Sequence, residues 1–175
     1  MSQHPRSLYR EALLWLARAP DHRGPMPHAD RRGRAVNALC GDELLAELTL
    51  GQDDRIGELR CTVRGCAVAE ASAHLLAELV PGADHQQIAG WQARFEAALT
   101  GAALPAELAP LEPLLALRER PSRHGCALLP WHALAEALRP VGVAPSRDDL
   151  GEAAQPPAGA ASIGPVISTV GRQNR

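Results

Sequence analysis

Apolar residues fall at helical spacing near the start of the chain, where Leu8, Ala12, Trp15 and Leu16 predict an amphipathic helix. Proline and glycine punctuation between Ala19 and Pro27 closes it. A short basic stretch then leads to Val36-Asn37-Ala38-Leu39-Cys40-Gly41-Asp42, and the period changes to two. Leu44, Ala46, Leu48 and Leu50 alternate with Glu43, Leu45, Glu47 and Thr49. Gly51-Gln52-Asp53-Asp54 supplies a turn, and Ile56, Leu59, Cys61 and Val63 mark a second strand, so the pair reads as an antiparallel hairpin. Past Gly65 the helical period returns. Val68, Ser72, Leu75, Leu76 and Leu79 form one apolar face up to Pro81-Gly82, and Ile88, Trp91, Phe95 and Leu99 form another.

The segment from Leu104 to Leu117 is apolar but interrupted by Pro105, Pro110 and Pro113, which predicts a short helix with a ragged start. A last helix runs from about Cys126 to Leu138. Leu128, Trp131, Leu134, Ala135 and Leu138 point inward there, and Pro130 belongs in its first turn. From Pro140 onward periodicity fades into Ala, Gly, Pro, Ser and Val. The reading is therefore a folded domain over 1–140 and a disordered tail over 141–175. Strands first and helices after them indicate an α+β domain, a small antiparallel sheet with helices packed on one face.

Composition narrows the chemistry. A chain of 175 residues suits one domain with a real core, and a formal charge of −2 offers no electrostatic footprint for nucleic acid. The sequence contains no lysine, so all 18 basic residues are arginine. Near the N-terminus the longest apolar run, Ala12 to Ala17, follows Glu11 directly and does not resemble an export signal. No stretch approaches the roughly 20 apolar residues that span a bilayer. A cytoplasmic, reducing location is expected, with no membrane partner. The four cysteines are then better read as ligands or reactive thiols than as disulfides.

Cys40 and Asp42 are two apart where a strand is expected to begin, so thiolate and carboxylate share one face. Gly41 between them removes a side chain that would crowd the pair. Cys66 follows Gly65 at a strand-to-helix junction, and Cys126 follows Gly125 at the start of the last helix. A helix N-terminus stabilises a thiolate and lowers its pKa. The set would make a tetrahedral site of three sulfurs and one oxygen, suited to zinc or iron–sulfur. No C-x₂-C pair exists, however, and each cysteine can equally be a small buried apolar residue. Cys61 shares parity with Leu59 and Val63 and reads as core. Trp91, Phe95 and Trp131 also read as core, His74 and His132 as partly exposed, and Ser72 lacks a His/Asp arrangement that would activate it.

Asn37-Ala38-Leu39-Cys40-Gly41-Asp42 resembles the N-P-x-C-G-D motif of the IscU/NifU N-terminal family, with alanine in place of proline. Arg64-Gly65-Cys66-Ala67-Val68-Ala69-Glu70-Ala71-Ser72 is similar to its G-x-G-C-A-I-S-x-A-S segment. The run from Arg123 through Cys126, Trp131 and Leu134 resembles the R-x-x-C-A-x-L-x-W-x-A-L signature of the SufU branch. The likeness spans about residues 6–139. Gly125, where IscU proteins have a histidine ligand, and the long Cys66–Cys126 interval both point to SufU.

The resemblance implies a sheet of about three strands and Zn²⁺ held by Cys40, Asp42, Cys66 and Cys126. It also implies persulfide sulfur accepted from a PLP-dependent, SufS-type cysteine desulfurase, with onward delivery to a cluster scaffold or apo acceptor proteins. Cys40 is the ligand expected to be released and to react. One alternative is a scaffold that assembles a [2Fe–2S] cluster on the same cysteines; another is a zinc-stabilised interaction module. Arg123 either positions the site or partner, or is a solvated helix-start arginine. His124 either approaches the metal or lies on the surface.

Overall fold

The structure, a computed structural model, describes residues 5–139, with side chains from Glu11 onward. The tail expected to be disordered, 141–175, lies outside the described residues. Helix α1 (Pro5–Leu16) precedes a meander of β1 (Arg31–Asn37), β2 (Asp42–Leu50) and β3 (Ile56–Arg64), antiparallel in the order β1-β2-β3. Helices α2 (Ala67–Leu79) and α3 (His85–Leu99), a 3₁₀ segment (Ala106–Glu119) and α4 (His124–Ala137) complete the order.

The expected hairpin is β2 and β3, with Leu44, Ala46, Leu48, Leu59 and Cys61 buried on the helix-covered face. A register shift at Thr49/Leu50 brings Ile56 into the same core. β1, which the apolar pattern does not mark as a strand, is built from the basic stretch. It is an edge strand whose arginines stay partly or fully exposed, a common guard against edge pairing. Its one buried residue is Gly33, over which α4 passes so closely that a Cβ there would stand 2.1 Å from the Ala133 carbonyl oxygen. Only glycine permits that approach.

Three expectations are corrected. The Leu104–Leu117 region is a 3₁₀ helix and not a short α-helix: Leu108, Leu111, Leu114 and Leu117 are all buried, and a stripe repeating every third residue fits three residues per turn. Pro110 and Pro113, lacking N–H groups, also deny that segment a regular α ladder. Pro130 lies in the second turn of α4, because the helix starts at His124 and not at Cys126. His74 is buried, since α2 is enclosed on nearly every side from Ala69 to Ala77. Trp131 and Phe95 meet in the core with ring centroids 5.7 Å apart, and Trp91 is half-buried at its margin.

The register decides which strand ends come together. Asn37 pairs with Asp42, and Glu43 with Arg64, so the end of β1, the start of β2 and the exit of β3 meet at one end of the sheet.

Candidate metal centre

At that end, residues 38–41 form the β1–β2 turn. The Asn37 carbonyl accepts the N–H of Cys40 at 3.3 Å and of Gly41 at 2.8 Å. Cys40 is therefore a turn residue and not the first residue of a strand. It meets Asp42 through the shape of the turn, and strand parity plays no part. Gly41 has φ +72°, the left-handed region that favours glycine, and a Cβ there would meet nothing within 4 Å. Its role is conformational, and the expected relief of crowding is absent.

Asp42 opens β2 and points inward with Leu44 and Ala46, two and four residues further on, and is buried. Gly65 makes the space: a Cβ there would stand 2.8 Å from the Asp42 carboxyl carbon. Cys66 caps the N-terminus of α2 with extended backbone angles. Cys126 is the third residue of α4 and is fully buried.

The Cys40 and Cys126 sulfurs lie 3.6 Å apart. Ligand atoms of Cys40, Asp42 and Cys126 all fall within 4.8 Å of one another. Cys66 stands just outside that trio, close enough to influence the ionisation of both Asp42 and Cys126. The exposed member is Cys40; Cys66 is half-buried.

Burial pushes the Asp42 carboxyl up, but hydrogen bonds from the Cys66 and Cys40 thiols, the Cys66 backbone and the Cys126 thiol outweigh it and hold its pKa below the ordinary value. Cys126 goes the other way. Burial first, then hydrogen bonding and charge from Cys40 and Cys66, pushes its thiol up to about 12. A helix N-terminus alone would lower it, but burial wins. A cation entering here must displace that proton, so binding is coupled to pH.

The donor set fits such a cation. Asp42 Oδ2 is buried and accepts no hydrogen bond among the described residues, while thiol sulfurs crowd the same space. A soft metal would satisfy both: two sulfurs and one oxygen are already gathered, and Cys66 at the margin would complete the three-sulfur, one-oxygen set of tetrahedral zinc or an iron–sulfur unit.

Arg123, the residue before α4, faces the sulfurs: hydrogen bonding to Cys126, then the charges of Cys66, Cys126 and Cys40, raise its pKa. His124 fits neither of its two readings. It is half-buried, with Nε2 2.9 Å from the Leu117 carbonyl oxygen, and ties the 3₁₀ segment to α4.

Two residues that sequence reasoning left without a role belong to the site. Ser72 Oγ donates to the Ala127 carbonyl at 2.6 Å, clamping α2 to the turn that carries Cys126. Asn37 accepts the Leu39 N–H on Oδ1 at 3.1 Å and presents Nδ2 to the Cys126 sulfur at 3.6 Å. Its place at the head of the N-A-L-C-G-D run, and the habit of Asn of bonding two residues on, were the available signals.

Such a fold, with a thiol-rich donor set at one end of a three-stranded meander, presents a candidate soft-metal or iron–sulfur centre. Residues 8–107 match the NifU-like N terminal domain, and the chain belongs to that family. The match ends before Cys126, but alignments to relatives run further. An iron–sulfur cluster assembly scaffold protein IscU from Thermotoga maritima is 27% identical over 135 residues, covering 77% of this chain and 94% of the relative. A protein of the same name from Streptococcus pyogenes serotype M1 is 31% identical over 135 residues, covering 75% and 83%. In solved structures, a candidate iron–sulfur cluster assembly scaffold protein for the SUF system from Fervidobacterium islandicum AW-1 superposes with TM-score 0.68. It is 22% identical and covers 78% of this chain and all of that one, a likeness of fold.

Proposed function

We propose that this NifU-like protein works in iron–sulfur cluster assembly as a SufU-type acceptor of persulfide sulfur from a PLP-dependent cysteine desulfurase. One observation carries the reading. A single exposed thiol, Cys40, stands 3.6 Å from the buried Cys126 sulfur, on a turn flanked by the inward carboxylate of Asp42. A sulfur acceptor needs one thiol that a partner's active site can reach, held against groups that stay behind. Zn²⁺ held by Cys40, Asp42, Cys66 and Cys126 would supply thiolate character at neutral pH and tie the loop to the core.

The sulfur step is thiol exchange. The Cys40 thiolate attacks the terminal sulfur of the desulfurase persulfide. A new S–S bond forms on Cys40, the donor's S–S bond breaks, and the desulfurase cysteine leaves as thiolate. Arg123 beside the sulfurs favours the anionic form of the cluster. Asp42 and Cys126, both buried, are built to hold and not to react.

The test is desulfurase turnover with a SufS-type enzyme. The full chain should stimulate alanine formation, and Cys40→Ala should remain folded and give no stimulation. Full stimulation by that variant would overturn the assignment.

The second reading is a scaffold that assembles a [2Fe–2S] cluster, its cargo, on the same cysteines before passing it to an apo acceptor. The Cys40 and Cys126 thiols gathered with the Asp42 carboxylate, and Cys66 at the margin of the same group, favour it. The metal content of freshly purified protein separates the two. About one zinc resistant to mild chelation fits the acceptor, whereas a visible chromophore transferable to an apo protein after anaerobic reconstitution fits the scaffold. No described helix is long and apolar enough to cross a membrane.

A further inference from the structure

The Asn37 carboxamide spans two parts of the site that the chain otherwise connects only at long range. Its oxygen accepts the Leu39 N–H in the Cys40 turn at 3.1 Å. A backbone N–H can only donate, so that atom must be the oxygen, and the amide nitrogen is thereby turned to the Cys126 sulfur at 3.6 Å. Gly125, directly before Cys126, leaves the room. A Cβ there would stand 3.0 Å from Asn37 Nδ2, tighter than the amide can accept without moving. The same carboxamide therefore orients the loop bearing the exposed sulfur and offers an N–H to the buried one.

From this geometry we infer that Asn37 is a positioning residue of the metal centre. It fixes the spacing of Cys40 and Cys126 and tunes the Cys126 thiolate by an N–H···S hydrogen bond, and Gly125 is the residue that permits it. The inference rests on Cys126 being a metal ligand. A hydrogen bond to a thiolate withdraws electron density from sulfur. Removing it should lower the energy of sulfur-to-metal charge transfer and weaken metal binding, as loss of an outer partner of a metal ligand generally does.

Co²⁺ titration of the full chain reads both effects. Wild-type protein should develop a sulfur-to-cobalt charge-transfer band. Asn37→Asp keeps the acceptor for Leu39 and removes the donor; its band should move to longer wavelength, with Co²⁺ affinity reduced about tenfold. Gly125→Ala should move the band the same way by displacing the amide, and should have no further effect in the Asn37→Asp background. Circular dichroism checks the fold of each variant. A second measurement needs no variant: ¹⁵N-labelled protein loaded with ¹¹³Cd should show scalar coupling between the Asn37 side-chain amide proton and the metal.

A wild-type band that stays fixed in both variants, or a cadmium complex without that coupling, would overturn the role of Asn37 while leaving the metal centre standing. No thiolate band in the wild type would remove the metal centre and this inference together.

Discussion

Cys61 and Cys126 are both sealed from solvent, and in both the thiol is pushed up to about 12, with burial as the leading cause. Their surroundings differ. Cys61 sits mid-strand in β3 beneath the helices, where the charge that acts on it is Glu70. That carboxylate is itself raised by burial and paired with Arg23 at 2.8 Å. Cys126 faces two further thiols, a carboxylate with an unpartnered oxygen, a guanidinium and a carboxamide. Burial alone makes a core residue. Burial among groups that have exchanged ordinary partners for one another makes a site.

The largest effect that tests this contrast is metal loss. Cys126→Ala or Asp42→Ala should abolish retention of zinc through gel filtration, read by metal analysis, and should lower the unfolding midpoint because binding energy at such a site is partly folding energy. Cys61→Ala should keep its metal. Equal loss in the two cysteine variants would dissolve the distinction. Next comes Gly65→Ala, whose Cβ would press on the Asp42 carboxyl carbon at 2.8 Å. It should cost about 2–3 kcal/mol in chemical denaturation and weaken metal binding, although residue 65 is no ligand.

Glycine-dependent contacts of this kind mark where the sequence was readable and where it was not. The hairpin and the inward parity of Asp42, Leu44 and Ala46 came from alternation, because one face of β2 is buried and a period of two is hard to mistake. The apolar pattern does not mark β1, whose inward positions are Gly33, Ala35 and Asn37, too small or polar to write one, and only the resemblance implies a third strand. In the 3₁₀ segment, prolines hide the period of three from an apolar pattern. Cysteine and carboxylate identities were legible from the motifs, but the reason they meet was not. Cys40 reaches Asp42 by a left-handed glycine turn, and Asn37 and Ser72 act through contacts 89 and 55 residues away along the chain. No local pattern records such distances.

Ser72 offers a smaller test. Its hydroxyl is buried and bonds the Ala127 carbonyl, so Ser72→Ala should cost about 1–2 kcal/mol of stability, read by urea denaturation. It should also lower metal affinity, because the turn carrying Cys126 loses its clamp. A stability loss with unchanged Co²⁺ affinity would confine Ser72 to the core, on the Cys61 side of the comparison.

The smallest effect concerns Cys61 itself. In the folded protein its thiol holds its proton to about 12, whereas an unfolded chain's thiol ionises nearer the ordinary value of 9.0. Above pH 9 the unfolded state therefore binds fewer protons than the folded one, and stability must fall as pH rises toward 12; below that window Cys61 adds no slope. One such group contributes about 1.4 kcal/mol per pH unit once the unfolded thiol is fully ionised. Urea midpoints of metal-free protein between pH 9 and 11 should thus decline less steeply in Cys61→Ala than in the wild type, by about one proton's worth. An identical slope would mean that Cys61 is less enclosed than its place in β3 indicates, and the clean division between a core thiol and a site thiol would lose its simpler half.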